Sequence, residues 1–345
     1  MIHGIGIHRD AGWADEAVDR LSCAWNESIG LDAPMEDYID IVPITYDQVF
    51  EDYLDDYVDV ATALFSDAVE LPKSEKDAIQ SELDSAEVKD KPALFSYILD
   101  VLLYKMDIVK EQVNVVVAKQ LYEKIAQLGT QNNFGIVAHS LGTRVINDTL
   151  QSIRSGTANE ANFYKQGYRL KFLMQISDVT DLFGLPFHQD KYPPKDVYSY
   201  DTYDYLRTVT NRFDPIARII PTRLDHWPEG RLTEAYMGRP AYKDILIDHV
   251  HDLNVHGLTH YMLHPEITDE IFDLCGFGRM LEKDCDRHEC FPALGPNVDA
   301  SLRHGLEDLM ADAQGTTNDT WRTYVNLVIK CACFGDEHDN YSTLA

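Results

Sequence analysis

The chain has 345 residues, of which 58 are acidic and 30 are basic, so its formal net charge is -28. A surface this negative repels phosphate groups, which argues against nucleic acid and anionic membranes as partners. No apolar run reaches the roughly 18 residues that a membrane span needs, and the segment after Met1 lacks the basic and apolar regions of a signal peptide. The sequence predicts a globular, acidic, cytoplasmic protein without stable membrane insertion.

The first elements along the chain are predicted to be a strand, a glycine-rich turn and a helix. The strand begins near Ile2 and runs into His3-Gly4-Ile5-Gly6. An apolar face with helical spacing follows, formed by Trp13, Ala17, Val18, Leu21 and Trp25. The β-branched segment 39–46 is the next candidate strand, with Pro43 limiting it to a strand end or an edge.

The composition changes between residues 49 and 106, where acidic residues interleave with tyrosine and leucine at helical spacing. This pattern predicts a helical cap inserted into the core, and it favours packing over an acyl pocket as the role of the aromatic stripe. Apolar residues at helical spacing over 117–128 then predict a helix that ends at Gly129. The predicted organisation is therefore a core of residues 1–48 and 107–275, a cap of residues 49–106 and a C-terminal helical extension of residues 276–345.

The segment 134–153 carries the clearest motif of the chain. Apolar residues that predict a buried strand are followed by Ser140 and then by an apolar helix face. A serine on such a strand-to-helix turn has a strained backbone and needs small neighbours, and Ala138 and Gly142 stand two residues to either side. This is a nucleophile elbow, in which the amide of Leu141, at a helix N-terminus, points where an oxyanion would form.

Further strands are predicted near Leu170, Tyr205 and Ile245. Together with those near residues 2, 39 and 134 they make about six strands that alternate with helical segments. Alternation of this kind is typical of an α/β protein with a mainly parallel sheet and helices on both faces.

Titratable residues follow the later strands. Asp178 stands at the end of one strand, and Asp214 follows the next, where Pro215 keeps the carboxylate on a tight turn. The segment after the strand near Ile245 is rich in imidazole: His249, His251, His256, His260 and His264. Pro265 then predicts the start of a helix.

The cysteines give no clear metal site. Five of the six lie in the last quarter of the chain: Cys275, Cys285, Cys290, Cys331 and Cys333. None of them forms a Cys-x-x-Cys pair, which argues against a structural zinc ion. Buried free thiols, or a local disulfide if the protein is exported, are the expected state.

With these motifs the chain resembles the α/β-hydrolase family, particularly its lipases and esterases, whose elbow reads small-x-Ser-x-Gly. Ala138 replaces the commoner first glycine of that motif, and the turn can accommodate its methyl group. In similar lipases a His-Gly-x-Gly segment follows the strand beside the nucleophile strand, as His3-Gly4-Ile5-Gly6 would here. The resemblance covers about two-thirds of the chain. The antiparallel strands that normally precede that segment have no counterpart.

The resemblance implies a serine hydrolase that cleaves carboxylic esters through an acyl-enzyme intermediate, with a small-molecule ester as its partner and no metal or organic cofactor. The implied catalytic residues are Ser140 as nucleophile, Asp214 as acid and His260 as base, with His256 and Asp178 as alternates. His260 is preferred because His-Tyr shortly before the last core helix resembles the family arrangement. The amides of Leu141 and Ile5 are the implied oxyanion donors.

Two other classes of function stay open from the sequence. The spacing of His256, His260 and His264 would align three imidazoles on one helical face, as in a metal-dependent hydrolase, although Gly257 and Pro265 argue against a continuous helix there. A catalytically silent hydrolase scaffold that serves as a binding module is the other class. The C-terminal helices could also form a contact between subunits, which leaves a homo-oligomer open.

Overall fold

The computed structural model describes residues 1–4, 12–29, 31–53, 100–101, 103–128, 134–155, 170–180, 203–219, 242–251, 254–278, 303–308 and 311. The helices are α1 (Gly12–Ser28), α2 (Asp107–Leu128), α3 (Leu141–Ser155), α4 (Pro215–Ile219), α5 (Leu258–Met262) and α6 (Pro265–Cys275). The strands are β1 (Ile136–His139), β2 (Leu170–Ile176), β3 (Tyr203–Asn211) and β4 (Tyr242–Ile247). A short 3-10 helix spans Met35–Asp37.

The four strands form one parallel sheet in the order β1-β2-β3-β4. Its register pairs His139 with Ile176, and Ile176 with Val209. The carboxyl ends of these strands therefore lie at one edge of the sheet, where ligands of parallel α/β sheets usually bind. The fold is α/β with a parallel sheet, as the sequence predicts.

The sheet has fewer strands than predicted, with four in the described residues instead of about six. The strands expected near Ile2 and over 39–46 are reduced to isolated parallel bridges, in which Ile2 pairs with Ala138 and with Ile44. Their pairing is short: the Ile44 N–H donates to the Met1 carbonyl oxygen, and the Met1 amino group donates to the Val42 carbonyl oxygen. The bridge to Ala138 nevertheless places His3 and Gly4 beside the end of β1.

Helix packing buries the sheet. Helix α1 packs against α5 and α6, and its apolar residues share one cluster with side chains from all four strands. Within this cluster the Trp25 ring meets that of Phe272 edge to face, with 5.4 Å between centroids. Leu173 and Leu206 are also fully buried although they lie outside this cluster, and α2 packs against α3. Both faces of the sheet are therefore covered.

The predicted helices over 13–25, over 117–128, after Ser140 and from Pro265 are confirmed as α1, α2, α3 and α6. Helix α6 ends at Gly276, whose φ of 96° is left-handed and suits glycine. The predicted cap at Gly129 and most of the 49–106 insertion and of the 276–345 extension lie outside the described residues, so the domain boundaries stay a prediction. Residues 303–308 of that extension are helical.

Two features of the structure bear on where the protein is located in the cell. None of the described helices combines the length and the apolar character that a membrane span requires. Cys23 is disulfide-bonded, whereas Cys275 is a free and exposed thiol, so the expectation of buried free thiols is wrong for Cys275. Because disulfides are typical of oxidising compartments, the cytoplasmic location stays a prediction.

Candidate active site

Ser140 occupies the turn between β1 and α3, as the sequence predicts. Its φ of 52° lies in the left-handed region, which residues with a Cβ rarely adopt and which typically costs about 1–3 kcal/mol. The side chain is fully buried. The strained backbone at this strand-to-helix turn is the geometry expected of a nucleophile elbow.

Two glycines allow a second segment to pass close to this turn. A Cβ on Gly142 would overlap the carbonyl oxygen of His3, and a Cβ on Gly4 would overlap the Cβ of Ser140. The Tyr46 hydroxyl lies 3.0 Å from the carbonyl oxygen of His3 and 3.1 Å from that of Gly4. The backbone of His3 and Gly4 thus approaches Ser140 closely.

His256 lies between Ser140 and Asp214. Its Nε2 is 2.8 Å from the Ser140 Oγ, and its Nδ1 is 2.9 Å from Asp214 Oδ2 and 3.1 Å from Oδ1. These distances are those of well-formed hydrogen bonds. The structure therefore brings a serine, an imidazole and a carboxylate into one continuous chain of contacts.

The structure does not place His260, the predicted base, beside Ser140, and it places the alternate, His256, there instead. His260 lies in α5, and its Nε2 accepts a hydrogen bond of 3.0 Å from the backbone N–H of His251. Both residues satisfy the chain order of serine, acid and histidine. The turn before α5 is what brings His256 over the end of β1 and turns His260 towards the preceding loop.

His139 holds the loop that carries His256, a role that the sequence analysis did not assign. Its Nε2 donates a hydrogen bond of 2.7 Å to the backbone carbonyl oxygen of His256. Because His139 is the last residue of β1 and directly precedes Ser140, this bond ties the His256 loop to the strand that leads into Ser140.

Asp214 is fully buried and has a second role as a helix cap. Its Oδ1 accepts hydrogen bonds from the backbone N–H groups of Ile216 at 3.0 Å and Ala217 at 3.2 Å, the pattern of an N-cap at α4. Its Oδ2 accepts hydrogen bonds from Ser177 Oγ at 2.7 Å and Tyr261 OH at 2.6 Å. The acid is thus fixed from the helix side and the sheet side.

The carboxylate of Asp214 is ionised despite its burial. Burial alone would raise its pKa, but the electrostatic attraction of the neighbouring His256 and the hydrogen bonds from His256, Tyr261 and Ser177 outweigh that effect and lower the pKa from 3.8 to about 2. An ionised carboxylate can only accept hydrogen bonds. It therefore orients an imidazole that carries its proton on Nδ1.

The remaining predicted residues have different outcomes. Asp178, the alternate acid, is engaged elsewhere: its Oδ1 accepts hydrogen bonds from Thr143 Oγ1 at 2.7 Å and Thr180 Oγ1 at 2.6 Å. Leu141 is the first residue of α3, a position at which backbone N–H groups have no partner within the helix. Ile5 lies outside the described residues.

Comparisons of the chain with protein-family models, with curated proteins and with solved structures found no match in any of the three. The resemblance to α/β-hydrolases therefore depends on the elbow motif, and the inference of function depends on the contacts of Ser140, His256 and Asp214.

Ser177 and Tyr261 also contact the acid, and the sequence analysis missed both. Ser177 follows β2, and its Oγ is 3.0 Å from His256 Nδ1 as well as bonded to Asp214. Tyr261 lies in α5 and accepts a hydrogen bond of 3.2 Å from the backbone N–H of Asn211. Ser177 belongs to no motif, and the His-Tyr motif gave Tyr261 no role of its own, so only the alignment of β2, β3 and α5 reveals these contacts.

Three imidazoles surround His264, which is fully buried. The ring centroids of His251, His260 and His249 lie 4.6, 5.0 and 6.4 Å from that of His264. Within the described residues, no group of three or more potential ligands is arranged to hold a metal ion. Burial, and then the neighbouring His260, His251 and His249, lower the pKa of His264 from 6.5 to about 2.

We expect this histidine to make the protein sensitive to mild acid. Below pH 6.5 an unfolded chain protonates His264, whereas the folded protein keeps it neutral until about pH 2. Above pH 6.5 this difference in proton binding has no effect on stability. Below pH 6.5 it lowers the free energy of unfolding by about 1.4 kcal/mol per pH unit, or about 2 kcal/mol at pH 5. Urea denaturation at pH 7 and pH 5 measures this loss.

The matched control for acid sensitivity is His264→Phe, which keeps a ring without a titratable group. This variant should lose about 2 kcal/mol less than the wild type between the two pH values. Asp214 does not interfere, because its own contribution is lost only as the pH falls from 3.8 to about 2. Equal losses in the two proteins would contradict the assignment to His264.

Proposed function

We propose that this chain is a serine hydrolase that cleaves carboxylic esters through an acyl-enzyme intermediate. The observation that carries the proposal is the continuous contact from Ser140 Oγ through His256 to the buried Asp214 carboxylate. In such a triad the imidazole removes the hydroxyl proton and the carboxylate holds the imidazole in the required tautomer. The backbone strain at Ser140 is a second, independent support, because such strain concentrates at functional sites.

The same arrangement supports an α/β-hydrolase-like fold. Ser140, Asp214 and His256 follow β1, β3 and β4 respectively, in the order serine, acid, histidine that is typical of that family. Their strands are parallel, so the three residues meet at one edge of the sheet. The segment His3-Gly4 passes beside the elbow, where the resemblance expects an oxyanion loop.

In the first half of the reaction, Ser140 Oγ attacks the ester carbonyl carbon while its proton passes to His256 Nε2. The resulting imidazolium lies against the Asp214 carboxylate, which stabilises it. The negative oxygen of the tetrahedral intermediate would accept hydrogen bonds from the amides of Leu141 and Ile5, each worth about 3–4 kcal/mol. His256 then donates the proton to the departing alcohol, and the acyl group stays on Ser140.

In the second half, a water molecule replaces the alcohol. His256 Nε2 accepts a proton from the water as it attacks the acyl carbonyl carbon, and returns a proton to Ser140 Oγ when the acid product leaves. The protein is thus restored without any group beyond its own side chains and backbone amides.

A fluorophosphonate probe tests the proposed nucleophile directly, because it forms a covalent bond with an activated serine. We expect stoichiometric labelling of the native protein, located on Ser140 by peptide mass spectrometry. Heat-denatured protein is the control, since labelling requires the assembled triad. Failure of the native protein to react would favour a catalytically silent hydrolase scaffold that acts as a binding module.

A panel of esters with graded acyl length, with matched thioesters and amides, tests the substrate class. We expect activated esters to be hydrolysed faster than the matched amides, because an amide has the poorer leaving group. The same assay with and without a chelator separates the alternative of a metal-dependent hydrolase that uses the His249–His264 cluster. Turnover that requires a removable metal ion would contradict the triad mechanism.

A further inference from the structure

Ser177 has the same unusual backbone as the proposed nucleophile. Its φ is 51° and that of Ser140 is 52°, and within the described residues these are the two non-glycine residues with positive φ. They follow neighbouring parallel strands at matched positions, since the Ser140 N–H donates to the Ile176 carbonyl oxygen and the Ser177 N–H donates to the Val209 carbonyl oxygen. Strain of this kind persists only where the surrounding structure enforces it, and it concentrates at functional sites.

The strained backbone turns the Ser177 hydroxyl towards the triad. Its Oγ lies 2.7 Å from Asp214 Oδ2 and 3.0 Å from His256 Nδ1, and the residue is fully buried. An ionised carboxylate has no hydrogen to donate, so the Ser177 hydrogen is directed to Asp214. Towards His256, the Ser177 oxygen is then left as an acceptor.

This arrangement fixes the tautomer of the imidazole. The polar atoms around His256 Nδ1 are the two Asp214 oxygens and the Ser177 oxygen, all of them acceptors. The Nδ1 atom must therefore carry the proton, which leaves the Nε2 lone pair free to receive the proton of Ser140. The Tyr261 hydroxyl donates to the same Asp214 oxygen at 2.6 Å and limits its rotation from the other side.

We propose that Ser177 is a positioning residue that fixes the Asp214 carboxylate and, through it, the Nδ1–H form of His256. The inference rests on the proposed hydrolase function and adds to it a fourth side chain. Ser177 does not contact the reacting carbonyl in this scheme, so it acts through the acid and not on the substrate.

The test replaces Ser177 by Gly and by Ala. Both variants lose the hydroxyl, but glycine adopts a positive φ without a steric penalty, so Ser177→Gly removes the hydrogen bond without retaining backbone strain. We expect kcat on an activated ester to fall about 10- to 100-fold in both, as for the loss of a hydrogen bond to a charged group. The KM should change less than about twofold, because substrate binding does not involve Ser177.

Two controls separate positioning from a general loss of packing. Thr180→Val removes a buried hydroxyl three residues away, which bonds to Asp178 instead of Asp214, and it should lower the melting temperature but leave kcat unchanged. In an Asp214→Ala background, Ser177→Gly should change kcat less than about threefold, because residues that act as a unit are not additive.

A second measurement does not depend on turnover. A hydrogen-bonded imidazole Nδ1–H gives a far-downfield proton resonance, which His256→Gln would assign by its loss. We expect this resonance to be sharp in the wild type and broadened by solvent exchange in Ser177→Gly, with no change in Thr180→Val.

The outcomes of the two measurements are distinguishable. An active wild type with kcat unchanged in both Ser177 variants, or with a full Ser177 effect in the Asp214→Ala background, overturns the role of Ser177 and leaves the hydrolase intact. A wild type that is inert towards esters and the fluorophosphonate probe overturns the proposed function. In that case the Nδ1–H resonance still decides whether Ser177 holds the imidazole.

Discussion

Ser140→Ala should reduce kcat on activated esters by about 10⁶-fold, to the level of the uncatalysed background. The reason is that alanine has no oxygen to attack the carbonyl, so the covalent route is lost and not merely slowed. Fluorophosphonate labelling should disappear in the same variant. Steady-state kinetics with an activated ester and gel-based detection of the probe measure the two effects.

The fold should survive this substitution. Alanine keeps the Cβ and the left-handed φ of 52°, so the backbone strain is unchanged and only the Oγ hydrogen bond to His256 is lost. Such a bond contributes about 1 kcal/mol, which corresponds to a few degrees in melting temperature. Ser22→Ala on α1, which loses a hydroxyl bonded to Glu36, is the matched control and should keep full activity. Ester turnover by Ser140→Ala at more than a trace of the wild-type rate would rule out Ser140 as the nucleophile.

His256→Gln and His260→Gln should differ in activity by several orders of magnitude. Glutamine fills much of the space of histidine and can accept a hydrogen bond, but it cannot take up and return a proton. His256 is 2.8 Å from the nucleophile, so its loss should lower kcat by about 10⁶-fold. His260→Gln should keep kcat within about tenfold, since that ring contacts the backbone of His251.

The same pair of variants separates an effect on catalysis from an effect on the stability of the fold. In His260→Gln a glutamine oxygen can still accept the His251 N–H, so the free energy of unfolding should fall by about 1 kcal/mol or less. Circular dichroism melting curves of both proteins confirm that each is folded before kinetics are compared. An inactive His260→Gln beside an active His256→Gln would reverse the assignment of the base.

The local parts of the site could be predicted from the sequence. A buried strand, a small residue, Ser140, a second small position and an apolar helix face all lie within a few residues, and each is set by its neighbours along the chain. The same holds for Asp214, whose position before Pro215 predicts a turn and whose carboxylate caps α4. The long helices α1, α2, α3 and α6 also follow from their apolar spacing.

The number of strands in the sheet was predicted less accurately than the local parts of the site. Segments near residue 2 and over 39–46 have the composition of strands, yet they contribute only bridges at Ile2 and Ile44. β-Propensity measures how well a side chain fits a pleated, half-buried surface, and whether such a surface continues depends on the backbone donors that neighbouring segments offer.

By itself the sequence predicted Ser140 and Asp214 as candidate site residues and the α/β class of fold, because these depend on patterns within a turn or a helix. Only the tertiary structure placed His256, and not His260, beside Ser140, although the two are four residues apart and equal in chain order. The choice depends on bonds such as that from His139 to the His256 carbonyl, across 117 positions. The proposed role of Ser177 likewise depends on the tertiary structure, because its partners Asp214 and His256 come from other strand ends that meet only when the parallel sheet has formed.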